Sequence, residues 1–177
     1  MRWQVSPISV AAVVAMLTVA GCAQTVDGTA QRALSNAPDP DRNYGYVDDR
    51  CGLLSDDTVR EILAADDISR PYSGAVCQYV LFRGDAAIDV TFSWFGTGDL
   101  DRERNLAVER GAEVTDLVVE RHLAFTARRD VTGTACSVTA AAGSGVLSWW
   151  VQLRDAATGN PCVDAEKLLS ATLKSDM

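Results

Sequence analysis

The chain has 177 residues, with 24 acidic against 16 basic side chains, one histidine and a formal net charge of −8. That balance supplies no overall field for holding nucleic acid or anionic headgroups. A lone histidine also limits any imidazole-centred catalytic device to one position.

Residues 1–21 have the layout of a secretory leader: Arg2 at the start, an apolar run from Ile8 to Leu17, then the small residues Val19, Ala20 and Gly21. Pro7 and Ser9 interrupt the start of that run, which stops short of the ~20 apolar residues a membrane-spanning helix needs. Leu17-Thr18-Val19-Ala20-Gly21-Cys22 is the pattern of a lipoprotein processing site, in which small side chains fit the peptidase and the cysteine sulfur carries the lipid. The alternative is ordinary cleavage near Ala20, with Cys22 as an incidental thiol. The lipoprotein reading expects a mature chain beginning at Cys22, lipid-anchored on the extracytoplasmic face of the cell membrane. Several acyl chains on one residue make such attachment stable. Loss of Arg2 with the leader takes the formal charge to −9.

Residues 22–50 read as the lipidated cysteine and a polar tether. Small and polar residues run to Asn36, followed by Pro38, Pro40 and scattered charges, with no apolar period of 2 or 3.6. Residues 51–177 are the length of one domain. They hold Cys51, Cys77, Cys136 and Cys162, an even set that implies two disulfides in an exported protein. Three pairings are open, and the spacings favour Cys51–Cys77 with Cys136–Cys162. A metal site built from all four is the rival, although no two stand in CxxC spacing.

In chain order, Ser55 is suited to cap a helix carrying Val59, Ile62 and Leu63 on one face. Arg70-Pro71-Tyr72-Ser73-Gly74 is expected to turn the chain. Cys77 to Phe82 reads as a strand, Arg83-Gly84-Asp85 as a turn, and Ile88 to Phe95 as a second strand with clear alternation. Asp99 suits the cap of a helix from Leu100 to Arg110, stopped by Gly111. Leu117 to Glu120, Leu123 to Arg128, Ala135 to Ala142 and Val146 to Arg154 read as strands, punctuated by Thr132-Gly133 and Gly143-Ser144-Gly145. A last helix spans Asp164 to Lys174, with Ala165, Leu168, Leu169 and Thr172 on one face. The expected class is α+β: an antiparallel sheet with about three helices packed on one face, stapled by two disulfides.

The processing site, the polar tether, Cys51-Gly52-Leu53-Leu54-Ser55 opening a helix and Cys77-Gln78-Tyr79 opening a strand together resemble the actinobacterial, mycobacterial-type surface lipoproteins that carry the domain of unknown function 3558. The resemblance covers most of the chain after Cys51. It implies location and fold, and it supplies no catalytic residue to carry over.

Chemistry-bearing motifs are sparse. His122 is the centre that any hydrolase would have to use, and its setting in Glu120-Arg121-His122 reads instead as a structural histidine on a strand. No nucleophile elbow, zinc-protease helix or phosphate loop occurs, so neither a cofactor nor enzymatic activity is expected. The aromatic pairs are more informative. Trp94 and Trp149 fit the inward register, which leaves Phe95 and Trp150 on the opposite face. With Arg128 and Arg129, and Arg121 as a further neighbour, they form a candidate binding surface. The sequence thus reads as a non-enzymatic envelope module that binds an envelope protein or a lipid or cell-wall ligand. The alternatives are a lipid or cell-wall precursor carrier and, from another class, a hydrolase centred on His122.

Overall fold

A computed structural model describes residues 37–129 and 134–175. The leader, Cys22, the tether as far as residue 36 and the expected Thr132-Gly133 turn lie outside the described residues.

The described strands are β1 (Tyr46–Val47), β2 (Arg50–Cys51), β3 (Asp67–Tyr72), β4 (Val76–Arg83), β5 (Ala86–Phe95), β6 (Glu113–Val119), β7 (His122–Arg129), β8 (Thr134–Ala142) and β9 (Gly145–Leu153). The helices are α1 (Asp56–Ile62), α2 (Leu100–Glu109) and α3 (Pro161–Lys174), with a 3-10 turn at Ala156–Thr158. β1 and β2 form a small hairpin. The other seven strands make one antiparallel sheet in the order β3-β4-β5-β9-β8-β7-β6. The expected α+β class is the class observed.

Local chemistry sets the element ends. Ser55 Oγ accepts from the Thr58 N–H at 3.2 Å and caps α1. Asp99 Oδ1 accepts from the Arg102 N–H at 2.8 Å and caps α2. Gly111 follows α2 at φ 77°, the left-handed value that a helix stop favours in glycine. Asn160 caps α3, with Pro161 in its first turn. Gly143 turns at φ 54° between β8 and β9, whose register closes at Ala142–Gly145.

Period-2 alternation decides which face of the sheet is sealed. Ile88, Val90 and Phe92 on β5, and Leu147, Trp149, Val151 and Leu153 on β9, are at most 1% exposed. α3 covers this face with Ala165, Leu168, Leu169 and Thr172, as its spacing predicts. Trp149 packs between Phe92 (ring centroids 5.0 Å apart) and Tyr79 (6.2 Å). Its indole Nε1–H donates to Thr172 Oγ1 at 2.9 Å, which satisfies a buried donor. α1 joins α3 on this face; Arg83 ties the two together by donating to Leu63 O and to Asp164 Oδ2 at 3.1 Å. The disulfides are Cys51–Cys77 and Cys136–Cys162, the pairing the spacings favour. The four sulfurs are thereby consumed, which excludes the tetracysteine metal site.

Three features differ from expectation. α2 does not join α1 and α3 but crosses the second face of the sheet. Its first turn is held there by Asp99 at the end of the β5 loop. The expected turn at residues 70–74 is largely strand: β3 runs to Tyr72 as an edge strand, with its register to β4 shifted between Ser69 and Tyr72. Pro71 is tolerated there because an edge strand has one unpaired side, and the bulge absorbs the missing donor.

The sheet domain also takes in residues before Cys51. Tyr44 is fully buried in the core cluster, and its hydroxyl donates to Asp39. Asp39 in turn accepts from the Gly143 N–H at 3.1 Å, and Arg42 donates to Leu173 O at 3.3 Å. A single aromatic anchor and a few hydrogen bonds hold residues 37–50 on the domain. That kind of attachment leaves no period in the sequence.

Candidate ligand-binding groove

The second face of the sheet is built of two adjacent cross-strand rows. One runs Thr91–Trp150–Ser137–Ala127 across β5, β9, β8 and β7. The next runs Ser93–Ser148–Thr139–Phe125 across the same strands. Below the first row, Arg129 stands opposite Ala135 at the end of β7. Hydroxyls therefore surround Trp150, whereas the sealed face has aliphatic and aromatic neighbours at the equivalent positions.

α2 packs over the β6–β7–β8 end of these rows without fully burying any of its own residues. Glu103, Leu106, Ala107 and Arg110 recur at helical spacing and face the sheet. Between them and the rows lies an open groove of about 420 Å³, lined by Trp150, Phe125, Ala127, the hydroxyls of Thr91, Ser137, Thr139 and Ser148, and the charges of Glu103, Arg110 and Arg129. A second groove of about 380 Å³ runs along the other flank of α2, lined by Leu100, Val118 and Leu123 among others, and shares Phe125. Within this second groove, α2 is latched by Arg104, whose Nε and Nη2 donate to the two oxygens of Asp116 at 2.6 and 3.0 Å. This hydrogen bonding holds the Asp116 carboxyl below its ordinary value.

Within the larger groove, Thr139 and Ser148 hydrogen bond to each other at 2.9 Å. The Thr91 and Ser137 hydroxyls on either side of Trp150 have no hydrogen bond to protein among the described residues, and Arg110 and Arg129 form no ion pair among them. Polar groups left free around an aromatic floor are the usual furnishing of a small-molecule site.

The sequence-derived surface residues are only partly brought together. Trp150 and Arg129 line the groove. Arg128 points to the opposite face, because successive residues of a strand alternate. It stands opposite Glu113 on one side and Cys136 on the other, near the disulfide. Phe95 is on the Trp150 face and 48% exposed, but it lies four residues beyond Thr91, about 13 Å along the strand. Arg121 is exposed in the β6–β7 turn at φ 68°. Glu103, Arg110 and Phe125 were missed. Their signal was the i, i+3, i+4, i+7 face of α2 and the Phe125–Ala127–Arg129 alternation of β7.

His122 is 4% exposed, and its Nδ1 lies 2.7 Å from the Ala141 carbonyl, which can only accept. Nδ1 therefore carries its proton into the main chain. Asp39 Oδ1 is 3.8 Å from the same nitrogen. The ring fastens β7 to β8 and the Asp39 loop, a structural role. Among the described residues no group of three or more His, Cys, Asp or Glu side chains could hold a metal, and no helix is long and apolar enough to cross a membrane.

The family profile described as "Protein of unknown function (DUF3558)" matches residues 17–175. The chain belongs to that family. Among proteins similar to this chain are those named "Putative lipoprotein LprB" in Mycobacterium bovis and Mycobacterium tuberculosis. Each is 25% identical over 167 residues, covering 91% of this chain and 90% of the relative. The Mycobacterium leprae protein of the same name is 24% identical over 155 residues, covering 85% and 82%. No solved structure matches. The DUF3558 profile takes in the capped helix after Cys51, both disulfides and the whole of the large sheet.

Proposed function

We propose that this protein is an envelope lipoprotein, held on the extracytoplasmic face of the cell membrane by lipid on Cys22, that binds a ligand in the groove beneath α2 without transforming it. The anchor rests on the Leu17–Cys22 pattern and on relatives that bear the name lipoprotein. Two disulfides agree with an oxidising compartment. The observation that carries the binding reading is the groove itself: a tryptophan floor, with two hydroxyls and two arginines that have no hydrogen-bond or ion-pair partner among the described residues, flanked by a helix none of whose residues is fully buried.

The carrier of a lipid tail is the less favoured form of this reading. A tail laid in the groove would cover the hydroxyls around Trp150, at a cost of about 1–3 kcal/mol for each one left unpaired. On the other face, Trp149, Leu168 and Leu169 are fully buried and occupy the layer between the sheet and α3.

Two experiments test the proposal. Cys22→Ser should move the protein from the membrane fraction to the soluble fraction; retention by the membrane would refute the anchor. Filling the groove with Ala107→Trp should abolish retention of whichever envelope component the wild-type domain binds, whether saccharide or lipid extract. If wild type and the filled variant retain every fraction alike, the groove is not a binding site.

A further inference from the structure

Trp150 is a half-buried platform flanked on the neighbouring strands by Thr91 and Ser137, whose side chains line the same groove. Arg129 stands in the next row towards one end of the groove. Arg110 reaches the same end from the last turn of α2, because the chain after it enters β6, whose Val114 pairs with Ala127. Glu103 lies seven residues earlier on the helix, about 10 Å away along its axis, so the positive charge is concentrated at one end. Three features of a ligand follow. It has a flat or gently puckered apolar face to lie on the indole. It has a rim of hydroxyls to exchange hydrogen bonds with Thr91 and Ser137, whose hydroxyls have no partner among the described residues. It has an anionic group at one end, since Arg110 and Arg129 lack a carboxylate partner among the described residues.

A sugar ring combines the first two features in one molecule, with C–H bonds on one face and hydroxyls around its edge. An acyl chain has neither the rim nor a use for the four hydroxyls. We propose that the groove beneath α2 is a site for a saccharide bearing an acidic group, its ring stacked on Trp150 between Thr91 and Ser137 and its anion held by Arg110 and Arg129. This rests on the reading of the groove as a ligand site and adds the class of ligand. The site accommodates a carboxylate or a phosphate equally, because either accepts from guanidinium forks.

The test is titration of the purified full-length protein carrying Cys22→Ser, followed by the side-chain N–H resonance of Trp150 and by calorimetry. The probes are trigalacturonate, glucose 1-phosphate, maltotriose and decanoate. Trigalacturonate or glucose 1-phosphate should bind at least about tenfold more tightly than maltotriose and shift the Trp150 resonance, and which of the two binds tells a uronate from a sugar phosphate. Arg129→Ala, an exposed substitution that leaves the fold intact, should weaken binding by a similar factor and flatten its salt dependence; Arg129→Lys should restore part of it. Trp150→Ala should weaken the acidic sugars and maltotriose alike. Equal affinity for maltotriose and trigalacturonate would overturn the charge requirement. No binding of either acidic sugar at millimolar concentration would overturn the saccharide assignment. If decanoate bound more tightly than the acidic sugars, and Ala107→Trp abolished that binding, the groove would still be a ligand site and the saccharide assignment alone would fall. If Ala107→Trp altered no binding at all, the underlying reading would fall with it.

Discussion

Trp149 and Trp150 are adjacent in the chain and do opposite work. Trp149 is sealed between the sheet and α3, its indole N–H spent on Thr172 Oγ1 at 2.9 Å, while Trp150 lies half-covered at the floor of the groove under α2. The two substitutions should separate stability from binding. Trp149→Ala is expected to destabilise the domain by about 3–5 kcal/mol, through the cavity left and the orphaned Thr172 hydroxyl. Trp150→Ala should cost less than half of that. Denaturant unfolding of the two variants measures the gap, and equal losses would show that Trp150 is a packing residue.

Tyr44 makes the segment before Cys51 part of the fold. Tyr44→Ala should destabilise by about 3 kcal/mol, since a fully buried ring is removed. Tyr44→Phe, which keeps the ring and loses the hydrogen bond to Asp39, should cost about 1 kcal/mol. A Tyr44→Ala variant as stable as the wild type would reduce residues 37–50 to a tether.

Arg104 and Asp116 fasten α2 to β6 from an exposed position, so their effect should be local. In Arg104→Ala, hydrogen exchange should quicken across residues 100–109 while the exchange of β5, β8 and β9 stays unchanged. Slow exchange of α2 in that variant would mean that the helix is held by its packing instead.

Glu120 gives the fold a specific sensitivity to acid. Its carboxylate accepts from Lys174 Nζ at 2.8 Å and from Ser170 Oγ at 2.8 Å, which together hold it below its ordinary value of 4.5. A depressed acid stabilises the folded state above its ordinary value, and that contribution is lost as pH falls through the lowered one. Glu120→Gln should therefore unfold at lower denaturant than the wild type near neutrality, and the difference should close below pH 4.5. A gap that persists in strong acid would assign the effect to packing rather than charge.

Much of this architecture can be read from the chain alone. Capping residues declare themselves locally, so Ser55, Asp99 and Gly111 mark helix ends without help from distant residues. The Ile88–Trp94 alternation names its buried face for the same reason, and the equal cysteine spacings favour the pairing observed. The α3 face of Ala165, Leu168, Leu169 and Thr172 is likewise a matter of period. β3 escaped because Pro71 resembles a turn until an edge strand with a bulge is available to hold it. Tyr44 escaped because one buried ring has no period. Arg128 and Arg129 looked like a pair because they are consecutive, yet a strand sends consecutive side chains to opposite faces.

Local chemistry therefore determined the three helices, the central strands and the inward faces of β5, β9 and α3. The groove was decided by strand order. Thr91, Ser137 and Trp150 come from three separate stretches of chain, and they become neighbours only when β9 is inserted between β5 and β8. The side of the sheet taken by α2 is also a tertiary outcome. Its weakly apolar face suits either side, and the position was open only where α1 and α3 had not already filled the core.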